Sequence, residues 1–168
     1  MKPLQDLAFI EQSSFEKEDE NLLFKQYLQQ QNSNEIDSLV YNLNEEISPQ
    51  IDCTKCGNCC RSLMINVEEN DAERLAEHLN ISKEDFCKKY IETSSEGNLS
   101  VMNKIPCHFL SQNKCTVYEA RPHECREFPG LHQPNFNARL FATFMHYSRC
   151  PIIYNVIEML KKELAFGK

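Results

Sequence analysis

Hydrophobic residues recur at helical spacing along much of the chain and are separated by short polar turns. In residues 35–46, Ile36, Val40 and Leu43 fall on one side of a helix. Ser48-Pro49 ends this helix because proline disfavours helical geometry in the residue before it. Comparable spacing predicts helices over residues 15–30, with Ser13 or Ser14 as the cap, and over 68–79, 82–91, 121–125 and from 151 onward.

Strand-like segments are few and short. Residues 62–67 have the composition of a buried extended segment, and residues 99–102 and 107–110 are predicted to pair as a small antiparallel ribbon. The expected fold is therefore mainly α with short β segments, a small α+β protein with an irregular cysteine-rich metal-binding core and packed helices. Residues 1–48 are predicted to form a helical N-terminal arm, and residues 49–168 the cysteine-cluster metal-binding domain with its C-terminal helix.

Composition narrows the class of protein. The 168 residues carry a formal net charge of −7, which argues against a nucleic-acid partner because such surfaces need a basic stripe. No apolar run reaches the length of a membrane span, and the first residues lack a signal peptide, so we expect a cytoplasmic protein that does not enter a membrane. Thiols stay reduced in that compartment, so many cysteines indicate metal binding or catalysis rather than disulfides.

Eight of the nine cysteines form one pattern, whose densest part is Cys-x-x-Cys-Gly-x-Cys-Cys at residues 53–60. Thiolates two residues apart converge on one ion or cluster because the intervening turn points both sulfurs the same way. The predicted metal ligands are Cys53, Cys56, Cys59, Cys60, Cys107, Cys115, Cys125 and Cys150. The ninth, Cys87, lies among apolar residues of a predicted helix and is interpreted as a small buried hydrophobic residue.

Arginines adjoin these cysteines in an otherwise acidic chain. Thiolates around a metal leave negative charge, which neighbouring cationic side chains compensate. Four arginines are therefore predicted to support the centre without ligating it: Arg61, Arg121, Arg126 and Arg149. His108 and His123 also adjoin motif cysteines, and packing or hydrogen bonding is the favoured role for each.

The identity of the metal stays open at this point. Eight thiols exceed the needs of one tetrahedral ion, so one or two centres are possible. A Cys-x-x-Cys-x-x-Cys run with a remote fourth cysteine suits an iron–sulfur cluster, whereas zinc more usually binds two separated Cys-x-x-Cys pairs. Iron–sulfur is favoured slightly over zinc.

The joint motif set resembles the CxxCxxCC cysteine-cluster proteins, often called the YkgJ family, which are associated with zinc or iron chelation. The resemblance rests on the sequence at 53–60, Pro106–Leu110, Cys115–Glu119 and Arg121–Pro129, with Cys150 as the closing cysteine. It covers roughly residues 50–151 and implies a metal or iron–sulfur centre in a bacterial cytosolic protein. A related cluster occurs in flagellin lysine-N-methylases that use S-adenosylmethionine, but this chain shows no glycine-rich strand-to-helix turn for that cofactor.

Three functions follow from these patterns. The first is a cysteine-ligated metal protein, with iron–sulfur favoured, in a redox, electron-transfer or accessory role. The second is a zinc-stapled interaction module in which the helical arm binds a protein partner. The third is an enzyme that uses a free thiol or S-adenosylmethionine. It rests only on spare cysteines and on the related methylases, because no hydrolase triad, phosphate loop or zinc-protease helix occurs.

Overall fold

A computed structural model describes residues 2–95, 97 and 99–167. It is mainly α-helical with short antiparallel strand pairs, which confirms the predicted fold class. The chain divides into two compact units, a helical unit that runs up to Asp52 and resumes at Pro129, and a cysteine unit, Cys53–Phe128. The predicted division into a 1–48 arm and a 49–168 domain stays a prediction.

The helical unit is built from amphipathic helices with recognisable caps. Its α-helices, numbered with those of the whole chain, are α1 Leu7–Glu16, α2 Glu18–Gln29, α3 Ser33–Ile47, α9 Leu140–Met145 and α10 Pro151–Glu163. Asn32 caps α3 by accepting hydrogen bonds from the amides of Asn34 and Glu35, and Pro151 opens α10, where its missing N–H costs nothing. α3 packs against α10, and their apolar faces supply much of the core of this unit.

Two details at the N-terminus differ from the sequence expectation. A single helix over 15–30 was predicted, whereas the structure has two helices that meet at Lys17, where ψ is 15°. Asp6 caps α1, and its side chain accepts from the Phe9 amide at 3.1 Å. Neither Ser13 nor Ser14 caps a helix, because both lie within α1. Ser13 is buried there, and its hydroxyl bonds the Tyr154 hydroxyl at 2.8 Å.

The cysteine unit combines short helices with two small antiparallel pairs. Its α-helices are α4 Cys53–Cys56, α5 Asn58–Ser62, α6 Glu69–Leu79, α7 Lys83–Tyr90 and α8 His123–Glu127, and a 3₁₀ turn spans Tyr118–Ala120. Its strands are β1 Ile91–Thr93, β2 Ser100–Met102, β3 Leu110–Ser111 and β4 Lys114–Cys115. The predicted pairing of 99–102 with 107–110 is wrong, because β2 pairs with β1 and β3 pairs with β4.

A compact apolar cluster lies beneath the cysteines of this unit. Leu75 and Phe86 are fully buried at its centre, where α6 packs on α7. Cys107, Cys115 and Cys125 are partly buried and pack against the cluster from outside. Three cysteines of the pattern therefore pack on this apolar core. The core is small for a unit of this length. Among the described residues, no helix is long and apolar enough to cross a membrane.

Candidate metal centre

The first four cysteines of the pattern lie on two short consecutive helices. Gly57 joins α4 to α5, and its φ of 58° lies in the left-handed region that glycine adopts without a steric penalty. The Gly57 amide donates to the Cys53 carbonyl at 3.0 Å, which closes the turn of α4. The chain therefore changes direction between Cys56 and Cys59.

Gly57 also permits a close approach between two parts of the chain. A Cβ atom at this position would lie 2.9 Å from the Asn113 carbonyl oxygen and 3.0 Å from the Asn113 Cα. Asn113 sits at the tip of the β3–β4 hairpin, where Gln112 and Asn113 both have positive φ. The hairpin that ends at Cys115 is thus seated directly on the turn between Cys56 and Cys59.

A backbone hydrogen bond joins the next pair of cysteines. The Cys107 amide donates to the Cys60 carbonyl at 2.8 Å, although 46 residues of chain separate them. The β3–β4 register then places Leu110 opposite Cys115. The fold therefore brings Cys60, Cys107 and Cys115 into one region of the cysteine unit.

Five thiols of the cysteine unit affect one another's pKa values. A hydrogen bond with the Cys60 side chain lowers the pKa of Cys59 to about 7, although burial opposes this change. The same bond and burial raise the pKa of Cys60. Burial, together with the charges of Cys59, Cys107 and Cys115, raises the pKa of Cys125 to about 12. These sulfurs are within Coulombic range of one another.

Backbone amides are directed at two of the sulfurs. Burial raises the pKa of Cys107 and of Cys115, but a hydrogen bond from the Phe109 backbone opposes the rise at Cys107. A hydrogen bond from the Val117 backbone has the same effect at Cys115. Each amide follows its cysteine by two residues, an arrangement that favours a thiolate.

The other cysteines differ in position. Cys53 is exposed and Cys56 is half-buried, both on α4, which lies against β4. Cys150 is buried, belongs to the helical unit and directly precedes α10. Cys87 is half-buried on α7 and packs against the apolar cluster of the cysteine unit. All nine cysteines lie among the described residues and all are free thiols.

The predicted supporting arginines bond mainly to backbone carbonyls. Arg61 donates to the Cys56 carbonyl at 2.5 Å and to the Asn113 side chain. The Arg121 guanidinium lies 3.8 Å from the Tyr118 ring centre, and its charge opposes the rise in the pKa of Cys115 that burial causes. Arg126 donates to the carbonyls of Arg121 and Glu119.

Arg149 lies in the helical unit beside Cys150. The roles of the eight cysteines as metal ligands, in one or two centres, and of the four arginines as supporting residues stay predictions.

The two histidines near the motif each take part in hydrogen bonds. His108 Nε2 lies 2.6 Å from the side-chain oxygen of Asn103, and its ring packs edge-on against Tyr90. Burial lowers the pKa of His108, and the charges of Lys104 and Lys89 add to this. The His123 backbone amide donates to the carboxylate of Asp71. The contacts of His108 match the packing and hydrogen-bonding role favoured from sequence.

Sequence reasoning missed several residues that hold the cysteine segments in place. Asn113 contacts the Gly57 turn, and Glu124 accepts from the backbone and side chain of Asn66. Asp71 on α6 receives hydrogen bonds from the segment that precedes Cys125. Only Asp71 had a visible signal, because Glu68 and Asp71 stand three residues apart at the start of a predicted helix, as in a capping box.

The donor set fits a thiolate-binding metal in its chemistry. Thiolates suit zinc and iron–sulfur clusters, and the pKa of about 7 at Cys59 makes a thiolate accessible near neutral pH. With their side chains as they stand, no three Cys, His, Asp or Glu residues in the described part of the chain form a group that could hold an ion. The fit rests on donor type and on the mutual charge effects among Cys59, Cys60, Cys107, Cys115 and Cys125.

A protein-family model matches the part of the chain that carries most of the cysteine pattern. The model of the CxxCxxCC family, described as a putative zinc- or iron-chelating domain, matches residues 52–146, which is more than half of the chain. No curated protein and no solved structure matches the chain. The matched region contains every predicted ligand except Cys150.

Proposed function

The chain belongs to the CxxCxxCC family, and from this premise we propose that it is a cysteine-ligated metal-binding protein that carries an iron–sulfur cluster. The grouping of five thiols within Coulombic range is the observation that carries the proposal. Packing alone does not require so many neighbouring thiols. Thiolates that are removed from water need compensation of their negative charge, and a bound cation supplies it. The proposed ligands come from Cys53, Cys56, Cys59, Cys60, Cys107, Cys115 and Cys125, with Cys150 as a further candidate.

Several features favour iron–sulfur over zinc. Cys53, Cys56 and Cys59 are spaced every third residue, the arrangement that iron–sulfur proteins combine with a remote cysteine. The thiols of the cysteine unit also outnumber the four ligands of one zinc ion. When bound, such a cluster supplies one-electron transfer, so we propose a redox, electron-transfer or accessory role.

The residues of the chain prepare the site in distinct ways. Cys59 loses its proton near neutral pH, and the amides of Phe109 and Val117 stabilise negative charge at Cys107 and Cys115. Arg61 holds the carbonyl of Cys56 and the tip of the hairpin, which fixes the two segments relative to each other. Cytoplasmic localisation belongs to this proposal because reduced thiols persist there.

A zinc-stapled module is the second candidate function. The apolar cluster of the cysteine unit has ten buried members, and three candidate ligands pack against it. A structural metal would add folding free energy where such a core is small. In this case the helical arm carries the function, and its exposed apolar residues Phe15 on α1 and Leu23 on α2 favour a protein partner.

Anaerobic purification followed by elemental and sulfide analysis tests the proposal. We expect iron, acid-labile sulfide and a broad visible absorption that disappears when the thiols are alkylated. Zinc without sulfide or colour would refute the iron–sulfur proposal and support the zinc-stapled module. A chain that folds fully and retains neither metal under these conditions would contradict both.

A further inference from the structure

A buried carboxylate on α6 joins this helix to the segment that carries Cys125. The Asp71 side chain is 3 % exposed, and its two oxygens lie 3.0 and 3.1 Å from the backbone nitrogen of His123. The amide of Glu68 also donates to this carboxylate. Asp71 therefore accepts hydrogen bonds both from its own helix and from a segment 52 residues away.

Arg74, one turn later on α6, contacts the same segment. Its guanidinium pairs with Asp71 and donates to the carbonyls of Ala120 and Arg121 at 3.3 and 2.9 Å. Asp71 thus takes the N–H at the start of α8, while Arg74 takes two carbonyls just before it. Together, Asp71 and Arg74 supply hydrogen-bond partners for one backbone N–H and two backbone carbonyls of residues 120–123.

The helix that bears Cys125 needs such external support. α8 has five residues, and a helix of that length does not hold its geometry alone. α8 also makes other contacts, among them the bond from the Asn66 side chain to Glu124 at 3.0 Å and the packing of Cys125 against the apolar cluster. Asp71 is the one buried charged residue among these contacts of the described chain. Its removal would leave the His123 N–H without a protein partner.

We propose that Asp71, assisted by Arg74, is the positioning residue for the metal ligand Cys125. The inference rests on the proposed metal-binding function. A carboxylate suits this position because it only accepts hydrogen bonds. The Glu68 amide, the Arg74 guanidinium and the His123 amide all donate to it. An asparagine at this position would turn an N–H₂ group toward one of those donors.

A purely helical role for Asp71 is the alternative. It is the third residue of α6 and forms a capping box with Glu68, whose side chain accepts from the Asp71 amide. Glu68→Ala removes that half of the box but leaves the contact between Asp71 and His123. This variant is therefore the matched control, because a defect in α6 alone would affect both variants equally.

The experiment compares full-length wild type, Asp71→Asn and Glu68→Ala, each purified with its own metal. Release of iron or zinc to a chelator and hydrogen exchange of backbone amides are measured. For Asp71→Asn we expect about tenfold faster metal release, the lower end of the loss for groups that orient ligands, and faster exchange at His123–Glu127. Glu68→Ala should lower thermal stability but release metal at nearly the wild-type rate.

Equal release rates for Asp71→Asn and wild type, or equal acceleration in both variants, would overturn the positioning role. If wild type holds no metal, the proposed function itself fails, a result distinct from the first two. Should Asp71→Asn not fold, Arg74→Lys replaces it. Lysine keeps the charge but loses the fork that reaches two carbonyls, so release should still accelerate severalfold.

Discussion

Replacing Gly57 by alanine is expected to destabilise the cysteine unit through two separable effects. The first is conformational, because a residue with a Cβ in the left-handed region costs about 1 kcal/mol. The second is steric, because the new Cβ would lie 2.9 Å from the carbonyl oxygen of Asn113, a backbone atom that cannot rotate away. Overpacking of this kind costs about 1–3 kcal/mol, so the total is about 2–4 kcal/mol.

Gly97 provides the matched control within the same unit. Its φ of 73° is also left-handed, but no described atom lies within 4 Å of a Cβ built there. Gly97→Ala should therefore cost only the conformational part, about 1 kcal/mol. Gly57→Asn adds a third comparison, because asparagine tolerates the left-handed region yet keeps the contact with Asn113.

Urea unfolding of the three variants, with metal content measured on the same samples, checks this reasoning. We expect Gly57→Ala to lose both stability and metal, and Gly57→Asn to remain clearly less stable than Gly97→Ala. Equal losses for Gly57→Ala and Gly97→Ala would show that the close approach to Asn113 has no energetic consequence. The seating of the hairpin on the Cys56–Cys59 turn would then be refuted.

Two further predictions concern the ligands and the helical unit. Cys125→Ser removes a proposed ligand, so metal retention should weaken by more than the ~10–100-fold that is lost when a supporting residue is removed. Cys87→Ser should leave the metal content of purified protein unchanged, and the opposite result would reverse the division of the cysteines. In the helical unit, burial alone would raise the pKa of Glu158. Hydrogen bonds from the side chains of Lys161, Lys17 and Tyr147 outweigh burial and hold this pKa below 4.5. A carboxylate with a depressed folded-state pKa stabilises the protein above pH 4.5 and loses that contribution as pH falls through the folded-state value. Urea midpoints measured from pH 7 to pH 3 should therefore fall more steeply for wild type than for Glu158→Gln, and parallel curves would contradict this.

The helices could be predicted where local signals agreed. α3, α6, α7 and α10 each combine apolar residues at helical spacing with a cap or a proline at the right end, and Ser82 caps α7 as its sequence indicated. α1 was missed because two of its large apolar residues, Phe9 and Phe15, are exposed, so its hydrophobic pattern is weak. Strand pairing was wrong because two- and three-residue strands find partners through tertiary contacts rather than through their own pattern.

In the candidate site, too, local sequence patterns could be predicted and contacts between distant segments could not. The cysteines were visible because their spacing matches that of metal ligands. The contacts of Asn113 and Asp71 were not visible, because each joins a polar side chain to backbone more than 50 residues away. Such contacts have no period in the sequence and depend on how the fold closes.

X-ray absorption at the metal edge of anaerobically purified protein tests the central claim most directly. Ligation by cysteine predicts a first shell of sulfur alone, at about 2.3 Å from the metal. Chemical alkylation of the thiols should abolish that shell together with the bound metal. A first shell dominated by nitrogen or oxygen at about 2.0–2.2 Å would show that the cysteines of residues 53–128 do not hold the metal.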